Sequence, residues 1–500
     1  MSKVPEPADA PDRRLHPWSW LFVLLQQLRQ FIAPLLALVV FGRGDRNALW
    51  PLIGVAVLAI GSLWQYFTYR YRITGDSLVV RSGLFERSLR EIPFARIHNV
   101  AVHQSVLHRL FNVAEVRLES AGGQKPEAQM RVLGLADALA LEQLFRHRGS
   151  ASGSETVTGE APARTELLSL STAEVIRLGL VSNRGMIVMA AAFGAAWQAL
   201  PDRMVANLVE HFARELFGYA SHLQLGWVAT AAAAAALLVL AMLLLRALSV
   251  LLALVQYHAF RLSEDPRRLT VERGLLTKLR TSVARRRVQA WTLHEGVLHR
   301  LLRRRSLDID TAVAEQHGQN DQRALKELAP IATPEACDAL ISHLLPHAQW
   351  PRAQWMPLPA SAWWRLFLPT AALVPLIAAA LCIYFGNGWG VLLLLWLPWS
   401  AYASRRHAAR AGYSVDDAMI AVCGGWWSRY WRFAEIDKLQ SLALRQSPLD
   451  RRFGMATLSL DTAGAGAMTP PLRVRYLPEA EARALYARLG ADIARRPLDW

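Results

Sequence analysis

The stretch Ser82–Gly122, SGLFERSLREIPFARIHNVAVHQSVLHRLFNVAEVRLESAG, occurs twice more along the chain in altered form. Arg273–Val313 reads RGLLTKLRTSVARRRVQAWTLHEGVLHRLLRRRSLDIDTAV, and Gly424–Gly464 reads GGWWSRYWRFAEIDKLQSLALRQSPLDRRFGMATLSLDTAG. Gly83, Gly274 and Gly425 align, and no gap is needed to reach Glu119, Asp310 and Asp461. A repeat of this length marks an array of one unit, so organisation and function are read unit by unit.

A pair of apolar runs precedes each copy: about Leu21–Phe41 with Ala48–Tyr66, Met186–Leu200 with Leu225–Leu245, and Trp363–Tyr384 with Trp389–Tyr402. A helix needs about 20 apolar residues to cross a bilayer. Together with 53% hydrophobic and 19% charged residues and 18 Trp, the runs predict a membrane protein with about six transmembrane helices in three hairpins. Gln26, Gln27, Arg29 and Gln30 weaken the first run, and Pro398 the last. Arg246 interrupts the fourth; it reads either as an intramembrane gating charge or as a snorkelling residue at the inner interface, and the lack of an acidic partner in that run favours the second.

The formal charge of +16 admits two explanations. Nucleic acid suits a basic soluble protein. For a chain already committed to a bilayer, Lys and Arg retained beside anionic lipid are the simpler cause. Tyr257–Asp310 holds thirteen Lys/Arg against six Asp/Glu, whereas the short connections inside the hairpins carry few charges. Positive-inside logic therefore places the N-terminus and all three repeats in the cytoplasm of a bacterial inner membrane. No cleavable signal peptide is expected in the polar first seventeen residues. Cys337, Cys382 and Cys423 show neither disulfide nor zinc spacing.

Within a copy the pattern is β. Apolar and polar residues alternate over Leu78–Arg81, Val116–Glu119 and Leu472–Tyr476, and the three glycines fall where a hairpin needs positive φ. Thr333-Pro334-Glu335 and Pro478-Glu479 open a closing helix, with Ala136–Arg148 as the first-copy counterpart. Ser171–Glu174 has capping-box spacing, and Gly149–Ala163 has a flexible-linker composition. The unit is thus an α+β module, several antiparallel strands closed by one helix. Boundaries follow: residues 1–67 (N-terminal segment and first hairpin), 68–148 (first module), 149–170 (linker), 171–256 (second hairpin), 257–348 (second module), 349–404 (third hairpin) and 405–500 (third module).

The residues also carry a resemblance. Tyr-Arg-Ile-Thr-Gly-Asp-Ser-Leu (71–78), Gly-Leu (83–84), Ile-Pro-Phe-Ala-Arg-Ile-His-Asn-Val (92–100) and Gln-Ser-Val-Leu-His-Arg-Leu-Phe (104–111) after a helical hairpin resemble the bacterial membrane-anchored PH-like domain family, the YdbS/YdbT-like membrane proteins. The resemblance implies a PH-like antiparallel β-barrel or sandwich with a C-terminal helix, repeated three times. It implies no catalytic set, no cofactor and no established ligand.

Candidate sites are few. His98, His103 and His108 recur at intervals of five, with His294 and His299 aligned to the latter two, but that interval fits one face of neither strand nor helix. Metal binding is therefore set below satisfied or surface histidines. Arg109, Arg300 and Arg451 occupy one aligned position; they either bind a shared anion or pair within the fold, with Glu119, Asp310 and Asp461 as partners. Arg285-Arg286-Arg287 and Arg303-Arg304-Arg305, unique to the second copy, read as contacts to acidic membrane surface or as a solvated face. P-loop, nucleophile-elbow, zincin and dinucleotide fingerprints are missing. The expected function is a non-enzymatic scaffold binding a protein partner, a peptide or acidic lipid, without nucleic acid; the rival is a transporter or export component, for example for toxic peptides.

Overall fold

The computed structural model describes residues 13–25, 28, 50–74, 77–82, 88–93, 97–120, 128–148, 165–199, 207, 210, 211, 215, 227–265, 268–311, 325–352, 354–386, 388–464 and 469–495. Each copy is assembled the same way. A short strand lies before the membrane insert and pairs, antiparallel, with the first strand after it. These pairs are β1 (Arg13–Arg14) with β2 (Arg70–Ile73), β8 (Thr165–Ser169) with β9 (Arg261–Asp265), and β15 (Met356–Pro357) with β16 (Gly412–Val415). Thr165–Ser169, within the 149–170 linker boundary, is therefore sheet; Gly149–Ala163, the stretch of linker composition, lies outside the described residues.

The first sheet of each copy continues as a meander through β3 (Ser77–Ser82) and β4 (Ser88–Pro93), β10 (Arg268–Arg273) and β11 (Lys278–Ala284), or β17 (Met419–Gly424) and β18 (Arg429–Glu435). Gly274 (φ +113°) and Gly425 (φ +83°) make the turns. A Cβ at either would lie 1.9 or 1.8 Å from the carbonyl oxygen of Thr277 or Ser428, so only glycine fits. A second sheet follows: β5 (Ile97–Gln104), β6 (Val113–Ser120) and β7 (Ala128–Gly134); then β12 (Val288–Glu295), β13 (Arg305–Thr311) and β14 (Glu327–Ala332); finally β19 (Leu439–Arg445), β20 (Met455–Thr462) and β21 (Arg473–Pro478). Helices Leu135–Arg148, Pro334–Leu344 and Glu479–Arg495 close the units, the second capped by Thr333 with Pro334 at its first position. Leu78, Val116 and Leu118 in copy one, and Leu458, Val474 and Leu489 in copy three, point into separate cores.

The copies share sheets. β5 of copy one pairs with β11 of copy two, and β12 of copy two pairs with β18 of copy three, giving two seven-stranded sheets. His103 faces Leu279 at the first junction, and the aligned His294 faces Tyr430 at the second, so the register is the same in both. The core follows: Met419 and Phe433 of copy three pack into the second copy's cluster.

Six continuous crossings are not found. Among the described residues, two helices are long and apolar enough to span: Ala231–Tyr257 (mean hydropathy 2.7) within helix Trp227–Tyr257, and Ala362–Phe385 (2.4). The first arm of the second insert breaks into Thr172–Val181 and Arg184–Ala195, bent by 54°. The return arm of the third is a 3-10 stretch, Gly388–Leu395, followed by a thirteen-residue helix, Trp396–Ala408. Thirteen residues rise about 20 Å, short of the roughly 30 Å hydrocarbon core. Leu21–Phe41 lies largely outside the described residues, and Trp50–Thr68 is one 19-residue helix. Arg246 donates to Leu180 O (3.1 Å), Ser182 O (3.0 Å) and Asn183 Oδ1 (3.3 Å), closing the C-terminal end of the first half-helix at the bend.

Candidate membrane-facing rim

Between the first two strands of every second sheet lies a five-residue helix: Val106–Leu110, Val297–Leu301 or Pro448–Arg452. Local sequence makes it. Ser105 and Ser447 cap two of the three, accepting from the amides of His108 and Asp450, and the Asp450 carboxylate returns to the Ser447 amide in a capping box.

These helices sit at the ends of the membrane inserts. Arg365, at the start of the long third-insert helix, is buried and donates through Nε to Asp450 (2.8 Å) and through Nη2 to Ser447 (3.0 Å), while Trp364 packs edge-on to Phe453 at 4.6 Å. In copy one, Trp18 and Phe22 of the N-terminal segment pack on Phe111 and His108 at 4.8 and 4.3 Å. In copy two, Arg304 donates to both carboxylate oxygens of Glu174 (2.9 and 2.7 Å), the residue that opens the bent pair. The neighbouring hairpin turn joins the same end: Gly274 N bonds His258 O and Leu275 N bonds Val255 O, both at 2.9 Å.

The rim so formed is apolar and basic. Leu110 and Leu301, at one aligned position, are 76% and 77% exposed, and Trp427 on the third-copy turn is 61% exposed. Val106, Leu107, Leu276, Leu449 and Phe453 are exposed beside them. Arg109 and Arg300 do the same thing in successive copies. Arg109 Nη1 donates to Leu275 O in the β10–β11 turn (3.0 Å), and Arg300 Nη2 donates to Trp427 O in the β17–β18 turn (2.9 Å). Each reaches into the next copy. Arg451, the aligned residue of copy three, is exposed. Asp310, a sequence-level partner for Arg300, instead binds Arg432.

The two arginine triplets are not brought together. Arg285–Arg287 forms a 3-10 turn before β12, and Arg303–Arg305 follows the short helix after it, so an eight-residue strand of about 27 Å separates them. Arg285 is held by Leu344 O and Glu264, Arg304 by Glu174, and Arg305 by Glu295 and Asp338 while lying over the Trp431 ring at 4.9 Å. Arg303 and Arg286 are exposed; only Arg303 lies on the rim. Burial, then the charge of Arg286, lowers the Arg287 guanidinium from its usual value.

Two polar clusters escaped the sequence reading. Arg184, at the head of its helix, contacts Gln256, Tyr257 and Glu327, and Arg273 donates to Glu327 at 2.8 Å. Burial opposes ionisation of Glu327, but the two arginines prevail and hold it below the usual carboxylate range. Arg432, 1% exposed, bonds Asp310 and Thr292 Oγ1 (2.9 Å) across the second junction. A basic residue at the edge of an apolar run was the one available signal for Arg184 and Arg365. Of the histidines, His103 lies 3.7 Å from Glu115, and His294 lies 3.6 Å from Asp308. The described residues contain no group of three metal-ligating side chains.

Comparison with known proteins agrees with this arrangement. The UPF0699 transmembrane protein YdbT of Bacillus subtilis (strain 168) is 19% identical over 489 residues, covering 94% of this chain and 96% of that protein. No solved structure matches. The bacterial PH domain model matches three times, at residues 21–149, 220–344 and 365–493, each match joining all or part of a membrane insert to the module after it. With more than half of its length matched in this way, the chain is a membrane protein of the bacterial PH domain family.

Proposed function

We propose that the protein is a non-enzymatic scaffold of the bacterial inner membrane, whose three PH-like modules lie on the cytoplasmic face and rest their rims on acidic lipid. The observation that carries this reading is the recurrence of the short helix at the membrane end of every copy, with exposed Leu110, Leu301 and Phe453 interleaved with Arg109, Arg303 and Arg452. Exposed apolar side chains gain by entering the headgroup layer, and each basic residue near an anionic surface adds about 1 kcal/mol. The excess of Lys/Arg in Tyr257–Asp310 supports the cytoplasmic side. A transport pathway finds no such support, because Arg246 and Arg365, charged residues of the long helices, are engaged by backbone carbonyls and by Asp450.

The test uses the full chain with Cys337, Cys382 and Cys423 replaced by Ala and Leu301→Cys carrying an environment-sensitive dye, in nanodiscs. Blue-shifted emission and quenching by headgroup-labelled lipid, stronger with phosphatidylglycerol than with phosphatidylcholine alone and weakened by Arg303→Glu, are expected. An emission spectrum typical of bulk water in both lipids would overturn the reading.

A further inference from the structure

Among the described residues, two strand edges that neighbouring copies fill elsewhere have no strand beside them. In copies two and three the outer strand of the first sheet, β11 or β18, accepts the second sheet of the preceding copy. In copy one the corresponding strand, β4, ends its sheet. Likewise β5 and β12 accept the following copy, whereas β19 ends the last sheet. The open edges are correspondingly exposed. Leu89, Arg90 and Glu91 on β4 lie in solvent, Leu89 at 63%, while their counterparts Thr281 and Ser282 on β11, and Arg432 and Phe433 on β18, are buried. Gln440 and Ser441 on β19 are exposed where Gln289 and Ala290 on β12 are buried.

We infer that β19 of one molecule adds to β4 of a second copy of this chain, making a third junction like the two within the chain. The inference does not rest on the lipid contact proposed above. The two existing junctions share one register, so the third is determined: Leu89 opposite Leu444, Arg90 opposite Ala443, Glu91 opposite Leu442 and Ile92 opposite Ser441. Three side chains fit that register. Arg90 aligns with Arg432, and Asp461 aligns with Asp310, so the ion pair buried at the second junction is reproduced from two exposed residues. Arg451 aligns with Arg109 and Arg300, which clasp the next copy at both internal junctions. Leu89 and Leu444 cover each other. Backbone pairing along an exposed strand is a general mode of association. Because the two edges are unlike, the contact is heterologous: chains join head to tail, closing as a ring or running on as a filament.

The experiment co-expresses two differently tagged full-length chains, both with the three native cysteines replaced by Ala. One carries Leu89→Cys and the other Leu444→Cys, and membranes are oxidised before electrophoresis. A disulfide needs Cα atoms about 4.4–6.8 Å apart, so an in-register pair links readily. The expected result is a band at twice the chain mass bearing both tags. It should be at least tenfold weaker when Gln440→Cys, about 13 Å out of register, replaces Leu444→Cys. Arg90→Glu in the first chain should weaken the band, and Asp461→Arg in the second should restore it. A link forming only when both cysteines lie in one chain would overturn the inference, as would equal linking from position 440 or no response to the charge swap. Native mass spectrometry of the unmodified chain in nanodiscs provides a check free of substitutions: multiples of the chain support the inference, and monomer alone overturns it.

Discussion

The guanidinium of Arg432, on the first sheet of the third copy, is buried against the carboxylate of Asp310, on the second sheet of the middle copy. Thr292 accepts a second hydrogen bond from the same guanidinium at 2.9 Å. This ion pair thus crosses the seam between two copies. Removing the guanidinium takes from the buried Asp310 carboxylate its partner across the seam. Arg432→Ala is expected to cost about 3–5 kcal/mol, and Arg432→Leu combined with Asp310→Leu to recover most of it. Thermal unfolding in detergent, followed by tryptophan fluorescence, measures both; equal losses from single and double variants would contradict the account.

His294 lies beside this seam and is pushed down to about 4 by burial, then by His299 and Arg432. Burial, then the charges of Glu327 and Asp310, raises the carboxyl of Asp308, 3.6 Å away, above its ordinary range. The folded pKa lies below the ordinary value of 6.5, so the folded state is fully favoured above pH 6.5 and loses stability as pH falls from there toward 4. His294→Gln should flatten the stability profile in that window. A profile as steep as that of the unaltered chain would remove His294 as its source.

The Asp450 carboxyl is subject to burial, which raises it, but Ser447 and Arg365 outweigh burial and hold it below the usual carboxylate range. The contact between the third copy and its membrane helix is therefore complete above the ordinary carboxylate pKa and is lost as pH falls through the lower folded value. Arg365→Met should cost about 3 kcal/mol and loosen the module from the helix, read as faster limited proteolysis between Ala408 and Ser447. Unchanged cleavage would show that other contacts hold the module.

Gly179 sits where the bent pair crosses helix Trp227–Tyr257, and a Cβ there would lie 2.4 Å from Val250 Cα. Gly179→Leu is expected to force the helices apart at a cost of about 1–3 kcal/mol. Gly194 has nothing within 4 Å of its virtual Cβ, so Gly194→Ala should be neutral or gain up to about 1 kcal/mol from helix propensity. Unfolding temperatures of the two variants in the same nanodiscs should separate in that order.

Much of this architecture is legible in the sequence because it depends on short-range chemistry. Gly274 and Gly425 dictate turns, Ser171 and Thr333 cap helices, and Leu78 with Val80 buries one strand face. Strand partnership is another matter. Alternation of period two fixes which face of β11 is buried but not whether β5 or β12 lies alongside, since either neighbour leaves the same pattern. Arg432 is hidden for that reason, within the apolar context Tyr-Trp-Arg-Phe. The interrupted inserts are invisible to hydropathy, which sums composition over a window and does not distinguish Gly388–Leu395 in 3-10 form from a continuous α-helix. Of the site, the aligned arginines 109 and 300 stand out by repetition, but the carbonyl each reaches belongs to the following unit.

The short strands β1, β8 and β15 give the membrane inserts an unusual status. Seen from its sheet, each insert is an overgrown loop whose two feet stand on adjacent strands, about 5 Å apart. Lengthening, trimming or exchanging the intramembrane stretch leaves that footing where it was.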